Sequence, residues 1–214
     1  MNPRKLRVLV ADDHAILRSG LVRLLQDVPD IDVVGEADSA SRARQLLQSG
    51  QWDILLLDLD MPGQDPLDAL RTIKADHPEV AVMILSMYPE EQFGVRTLKA
   101  GAAGYLSKDS APDELITAIR RIAEGGAYIS ARLTTTLVHF VEARALGCDK
   151  RQLTDREFSV LRGIAAGRSI TQIAKELNLS AKTVSTYRSR VLQRLSLHSN
   201  VDLARYAEGL GLVQ

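Results

Sequence analysis

Through the first 125 residues, short apolar runs alternate with longer segments whose apolar positions recur every three to four residues. The runs are Leu6 to Ala11, Ile31 to Gly35, Asp53 to Leu57, Ala81 to Leu85 and Ala103 to Leu106. They are almost wholly apolar rather than alternating, the mark of strands buried on both faces. The longer segments predict helices at 14–27, 39–49, 66–76, 89–100 and 112–124. Five strands interleaved with five helices predict an α/β fold, a parallel sheet wound on both faces. Ligands of such sheets sit beyond the carboxyl ends of the strands, so the polar residues there are the ones to examine.

The rhythm changes after Gly125-Gly126. Residues 131–145 read as a helix with a mixed face, and Gly147 to Gln152 as a polar linker. From Leu153 the pattern is all-helical. Thr154-Asp155-Arg156-Glu157 and Ser169-Ile170-Thr171-Gln172 are capping boxes, and Gly167 suits a helix C-terminus. Ser180 and Ser199 are N-caps for helices at 181–195 and 200–208. The expected organisation is a body at 1–126, a helical linker at 127–150 and a small all-α domain of four helices at 151–214.

Composition narrows the class. The chain has 214 residues, of which 45% are apolar and 25% charged, ordinary values for a globular protein. Its single cysteine, Cys148, excludes an internal disulfide and a cysteine-based zinc site, and suits a reducing cytoplasm. No stretch approaches the roughly 18 apolar residues of a membrane span, and the N-terminal apolar run is too short for a signal peptide. The formal net charge of zero hides a split. Residues 1–150 hold 17 Lys+Arg against 22 Asp+Glu, or −5, and residues 151–214 hold 10 against 5, or +5. A basic end is suited to nucleic acid.

Five polar residues fall at the carboxyl ends of the predicted strands. Asp12 and Asp13 follow the first, Asp58 ends the third, Ser86 ends the fourth and Lys108 lies just past the fifth. A carboxylate at a strand end often just caps a helix, but placement at four strand ends together points to a site. Converging carboxylates repel one another unless a cation is bound, and all-oxygen ligands suit Mg²⁺. A carboxylate beside Mg²⁺ and a lysine can attack a phosphoryl group, with Ser86 donating to one of its oxygens.

Asp12-Asp13-His14, Asp58-Leu59-Asp60-Met61-Pro62-Gly63, Ser86 and Gly104-Tyr105-Leu106-Ser107-Lys108 resemble the receiver domain of two-component response regulators, over residues 6–124. The resemblance implies a flavodoxin-like fold with Asp58 as phosphoacceptor. It implies that Asp13 binds Mg²⁺ directly, Asp12 largely through water, and Asp60 through its backbone carbonyl. Lys108 would pair with the phosphoryl group, while Ser86 and Tyr105 would form a switch pair whose ring turns inward behind the moving hydroxyl. The chain departs at Asp65-Pro66, where relatives commonly carry Asp-Gly. Proline in a first helical turn is favourable, so a change in loop stiffness is expected. Tyr88 is expected to overhang the phosphoryl group and slow its hydrolysis.

Helices at 170–177 and 181–195 are separated by only Asn178-Leu179-Ser180, the spacing of a helix-turn-helix. On the second helix, Val184, Tyr187, Val191 and Leu195 form one stripe, extended by Leu192. Lys182, Ser185, Thr186, Ser189 and Gln193 form the opposite stripe, with Arg188, Arg190 and Arg194 on the flanks. One stripe packs inward, the other fits a major groove, and the flanking arginines reach phosphates. Leu153-Thr154-Asp155-Arg156-Glu157, Ile173-Ala174-Lys175-Glu176-Leu177 and Ser180-Ala181-Lys182-Thr183-Val184-Ser185 resemble the LuxR-type DNA-binding domain. Joined to a receiver, that is the architecture of the NarL/FixJ subfamily. It implies dimeric binding to inverted half-sites of double-stranded DNA. Lys182, Ser185, Thr186 and Ser189 match base-facing positions, and Thr183, Arg188 and Arg190 suit phosphates. The usual Arg-Glu-Arg-Glu run is here Arg156-Glu157-Phe158-Ser159, so ion pairs of relatives are expected to be missing. Leu203 and Ala207 are expected in the core, and Val201 and Ala204 at a dimer or core contact.

The reading is a cytoplasmic transcription regulator, not an enzyme, switched by a sensor histidine kinase and forming a homodimer on activation. RNA polymerase is a further candidate partner. Two alternatives stand beside it. One is a regulator whose DNA binding ignores phosphate. The other is an aspartyl-phosphate phosphatase, because Asp58-Leu59-Asp60 superficially matches the Asp-x-Asp motif of haloacid-dehalogenase-like enzymes.

Overall fold

The computed structural model describes residues 4–61, 65–145 and 153–212. Cys148 and the polar linker at 147–152 lie outside the described residues, as do Pro62 and Gly63. The chain divides into two compact units, residues 1–133 and 134–214.

In the first unit, strands β1 (Leu6–Ala11), β2 (Ile31–Ala37), β3 (Ile54–Asp58), β4 (Ala81–Ser86) and β5 (Gly104–Ser107) form one parallel sheet, ordered β2-β1-β3-β4-β5. Helices α1 (Ala15–Gln26), α2 (Ala40–Ser49), α3 (Pro66–Asp76), α4 (Glu90–Lys99) and α5 (Pro112–Ala123) join them. The sheet buries both faces, as the apolar runs require. Val8, Val10, Ile54, Leu56, Met83 and Leu85 join Leu25 of α1 and Ile119 and Ile122 of α5 in one core cluster. The alternate residues Leu9, Leu55, Leu57, Val82 and Ile84 are equally buried and point to the other face. The register between β1 and β2 shifts after Val8, which pairs with Val33, whereas Leu9 pairs with Gly35. A side chain at Gly35 would meet the Trp52 ring at 2.6 Å, so glycine permits the ring to lie against this edge strand.

Beyond α5 the chain stays on the first unit for several residues. Tyr128 pairs with Gly104, and its hydroxyl donates to Glu114 Oε1 at 2.6 Å. Ser130 donates to Glu90 at the start of α4, and Leu133 is fully buried against Gly94. Helix α6 (Ala131–Ala145) begins here.

The second unit contains α7 (Asp155–Ala165), α8 (Ile170–Glu176), α9 (Ala181–Leu195) and α10 (Asn200–Gly209). Thr154 with Glu157, Ser169 with Gln172, and Ser199 with Asp202 form capping boxes, and Ser180 caps α9. Each satisfies backbone N–H groups that a helix start otherwise leaves without a partner. Asn178 adopts φ 53°, turning the chain between α8 and α9. At Gly163 an added Cβ would lie 2.7 Å from Ile173, so glycine sets the approach of α7 and α8. Phe158, Leu161, Ile173, Val184, Val191 and Leu203 fill the small core.

Candidate functional site

Parallel registry brings the strand ends to one edge of the sheet. Ala11 pairs with Leu57, Asp58 with Leu85, and Ser86 with Ser107. Asp12, Asp58, Ser86 and Lys108 therefore converge, although 96 residues of sequence separate the first from the last. Lys108 Nζ lies 2.8 Å from Asp12 Oδ2 and 2.8 Å from Asp58 Oδ2. The side chains of Asp12, Asp58 and Lys108 are only 2%, 1% and 5% exposed, so one ammonium serves two buried carboxylates. Burial pushes the Asp58 carboxyl above its usual range, partly offset by Lys108. Burial also works against the Lys108 charge, but hydrogen bonds to Asp12 and Asp58 reverse this and raise its pKa.

Backbone contacts fix the acidic loops. Asp12 N–H donates to Ala37 O, and Asp12 Oδ1 accepts from His14 N–H at 2.8 Å. Arg18 donates to the Asp12 carbonyl at 2.6 Å and approaches Glu36. Asp58 Oδ1 accepts from Asp60 N–H at 3.1 Å. Asp13 is part-exposed, and its Oδ1 lies 2.9 Å from His14 Nδ1. Donor atoms of Asp12, Asp13, His14 and Asp58 all lie within 4.8 Å of one another, an arrangement able to hold a metal ion. Asp60 contributes no side-chain atom to that group; its carboxylate accepts from Tyr88 OH at 2.8 Å.

The expected switch pair sits beside this pocket. Ser86 is fully buried and its Oγ accepts from Tyr88 N–H. The Tyr105 ring is also fully buried, and its hydroxyl donates to the Tyr88 carbonyl at 2.7 Å. Burial raises the pKa of that phenol, so it stays a hydrogen-bond donor. Tyr88 stacks on Phe93 with ring centroids 4.8 Å apart. It thus spans from the β4–α4 loop to Asp60 after β3. Asp65 caps α3 through Leu67 N–H and Asp68 N–H, with Pro66 in the first turn.

Sequence reasoning missed His14 and Arg18 here. His14 stands next to Asp13, and Arg18 lies four residues beyond His14, one helical turn into α1. That spacing was the available signal.

The second surface is α9. Val184 and Val191 are fully buried, while Lys182, Ser185, Thr186, Ser189 and Gln193 are exposed. The two stripes separate as the periodicity requires. Thr186 and Ser189 donate back to Lys182 O and Ser185 O, which orients their hydroxyl lone pairs outward as acceptors. Thr183 Oγ1 meets Ser180 Oγ at 2.7 Å within the cap. Arg188 donates to Asn200 of α10, and the Arg190 guanidinium sits 5.9 Å from the Tyr187 ring centroid. One ion pair of the first helix persists despite the shortened charge run. Buried Glu157 pairs with Arg194 at 3.4 Å, because Glu157 also closes the α7 capping box. Leu203 and Ala207 are fully buried, whereas Val201 is 60% exposed.

Known proteins share both parts. The family model for the response regulator receiver domain matches residues 8–120, and that for bacterial regulatory proteins of the luxR family matches residues 151–207. The chain is 35% identical to the response regulator UvrY of Escherichia coli strain K12 over 208 residues, covering 97% of this chain and 95% of UvrY. It is 34% identical over 209 residues to the response regulator GacA of Pseudomonas aeruginosa strain PAO1, covering 97% and 98%. A structure of RcsB from Salmonella typhimurium, described as showing conformational dynamism for DNA interaction, matches with TM-score 0.81 and 26% identity, over 97% and 99% of the two chains. A second RcsB structure, bound to promoter rprA with the phosphomimetic BeF₃⁻, matches with TM-score 0.78 and 25% identity, over 96% and 99%. No described helix is long and apolar enough to cross a membrane. From its buried acidic strand edge to its helix-turn-helix, the chain belongs to the DNA-binding response regulators of two-component systems, in the NarL/FixJ arrangement of a receiver domain followed by a LuxR-type domain.

Proposed function

We propose that Asp58 accepts a phosphoryl group from a sensor histidine kinase, and that this switches sequence-specific DNA binding by the second unit. The observation that carries the reading is the pair of 2.8 Å contacts from Lys108 to Asp12 and Asp58 at the sheet edge. An oxygen of the Asp58 carboxylate attacks phosphorus, the P–N bond of the phosphohistidine breaks, and the imidazole nitrogen keeps the electron pair. Lys108 then pairs with phosphoryl oxygens, releasing its hold on Asp58. Ser86 turns its hydroxyl toward one oxygen, and the buried Tyr105 ring is the other half of the switch pair. The carboxylates of Asp12, Asp13 and Asp58 fit Mg²⁺; Asp13 and Asp58 would hold it directly, with the Asp60 carbonyl, and Asp12 largely through water. Bound there, Mg²⁺ supplies positive charge to the oxygens of the transferring group.

Residues 1–126 act as the receiver, 127–150 as the linker and 151–214 as the DNA-binding domain. Helix α9 enters the major groove of double-stranded DNA. Lys182, Ser185, Thr186 and Ser189 face base edges; Thr183, Arg188 and Arg190 face phosphates. The DNA-bound RcsB structures, one of them with two dimers on two parallel DNAs, support reading this chain as an activated homodimer on inverted half-sites. RNA polymerase is its further partner, and the cytoplasm, where DNA and kinase output meet, its place of action.

Intact-mass measurement after incubation with acetyl phosphate and Mg²⁺ tests the first step. The wild type gains one phosphoryl group, labile to hydroxylamine, and Asp58→Asn gains none. A stable adduct, or equal labelling of Asp58→Asn, contradicts it.

A further inference from the structure

We propose that residues 128–133 form a strap that holds α4 in its unphosphorylated position, so that the strap opposes phosphorylation of Asp58 and phosphorylation in turn loosens the strap. This rests on the reading of Asp58 as the phosphoacceptor.

The strap is tied to three elements of the first unit. Tyr128 N–H donates to Ala103 O at 2.9 Å and Tyr128 pairs with Gly104, which lays the strap along the edge of β5, next to Tyr105. A Cβ at Gly104 would lie 3.0 Å from the Tyr128 carbonyl oxygen, so glycine permits this approach. Tyr128 OH donates to Glu114 of α5 at 2.6 Å. Ser130 Oγ accepts from Leu133 N–H at 3.0 Å, in the first turn of α6, and donates to Glu90 Oε2 at 2.6 Å. One hydroxyl thus joins the first turns of α4 and α6. Leu133 is fully buried, and a Cβ added at Gly94 would lie 2.5 Å from it. Glycine inside a helix is destabilising relative to alanine, so its place in the middle of α4 is room made for Leu133.

The switch loop grips the same helix. Phe93 of α4 stacks on Tyr88. The N-cap residue Pro89 makes no side-chain capping bond, so the start of α4 is set by the neighbours that hold it. Tyr88 hangs on both halves of the switch pair: its N–H donates to Ser86 Oγ at 3.1 Å, and its carbonyl accepts from Tyr105 OH at 2.7 Å. When Ser86 turns toward a phosphoryl oxygen, Tyr88 N–H loses its acceptor. The displaced loop then pulls on Glu90 and Phe93, and the bonds to Ser130 and the seat of Leu133 resist. A coupling of this kind is reciprocal, so whatever frees the strap favours the phosphorylated arrangement to the same degree.

The test is beryllofluoride binding to the full chain with Mg²⁺, titrated by fluorine-19 NMR. Wild type should bind and Asp58→Ala should not. Leu133→Ala, which empties the seat, and Gly94→Ala, which fills it, should each bind at least about fivefold more tightly than wild type, the lower end of typical couplings. The double variant should match Leu133→Ala alone, because the strap can be freed only once. Ser130→Ala removes no apolar contact, so it reads the same coupling without disturbing the core, and should show a smaller gain. In wild type, amide hydrogen exchange at Leu133 should speed up when beryllofluoride binds. Unchanged or weaker affinity in Leu133→Ala, Gly94→Ala and Ser130→Ala overturns the strap and leaves the phosphoacceptor reading intact. Exchange at Leu133 that ignores beryllofluoride does the same. If wild type binds beryllofluoride no better than Asp58→Ala does, both the strap and the phosphoacceptor reading fail.

Discussion

Asp58 and Lys108 expose almost nothing of their side chains, whereas Lys182, Ser185, Thr186 and Ser189 stand open on α9. The pocket holds charge in a low-dielectric setting, where one ammonium opposes two buried carboxylates. There the proposed phosphoacceptor chemistry and the fold depend on the same atoms. Helix α9 separates them: Val184 and Val191 hold the fold on one side, and the polar stripe is exposed on the other. Substitution in the pocket should therefore change folding, and substitution on the outer stripe should change binding alone.

The largest effect is expected from Lys108→Ala. Removing one partner of a buried ion pair typically costs about 3–5 kcal/mol, because charge is left uncompensated. Urea unfolding without divalent cations should show the loss, and added Mg²⁺ should recover part of it. An unchanged midpoint would erase the contrast between the two regions.

Asp58→Asn tests the same energetics through pH. The folded-state pKa of Asp58 is raised, so the folded protein binds its proton more tightly than the unfolded chain does. Its contribution to stability is thus fully present below the ordinary carboxylate range and is lost as pH rises through the raised value. Asp58→Asn lacks this loss. Without metal, the variant's stability advantage should grow from acid toward neutral pH. A constant difference would place Asp58 in a setting no different from water.

On α9, Arg190→Ala should leave the thermal midpoint unchanged and weaken binding to all DNA sequences alike. The salt dependence of binding should lose about one phosphate's worth of slope. A sequence-selective loss would instead assign Arg190 to a base.

The smallest effect is expected at Tyr88→Ala. Tyr88 bridges to Asp60 and stacks on Phe93 beside the pocket. Its removal opens a path for water, so the Asp58 phosphate should be lost faster, as read by intact mass over time. An unchanged lifetime would leave Tyr88 as a loop tether only.

Much of this was legible in the sequence, for reasons that differ by element. The five strands stood out because burial on both faces leaves no polar alternation. β2 runs two residues past its apolar run to Ala37, because Glu36 faces solvent while its backbone still pairs with Val10. The one-residue shift in β2 had no signature in periodicity. Asp12, Asp58, Ser86 and Lys108 were found because strand ends of a parallel sheet share one edge. Side-chain links between distant loops were beyond such reasoning. The Tyr88–Asp60 bond joins residues 28 apart, and Glu157–Arg194 depends on how α7 meets α9. His14 reads beside two aspartates as part of the motif, and its 2.9 Å approach to Asp13 depends on how the chain turns from β1 into α1.

In the proposed switch, phosphorylation of one buried aspartate governs DNA binding by a separate unit. The most direct test is fluorescence anisotropy on a DNA sequence enriched by selection with the full-length chain. Wild type and Asp58→Ala would be titrated with Mg²⁺, with and without beryllofluoride. Beryllofluoride should tighten binding by wild type and leave Asp58→Ala unchanged. Equal affinity in all four titrations would contradict it and would favour a regulator whose DNA binding ignores phosphate.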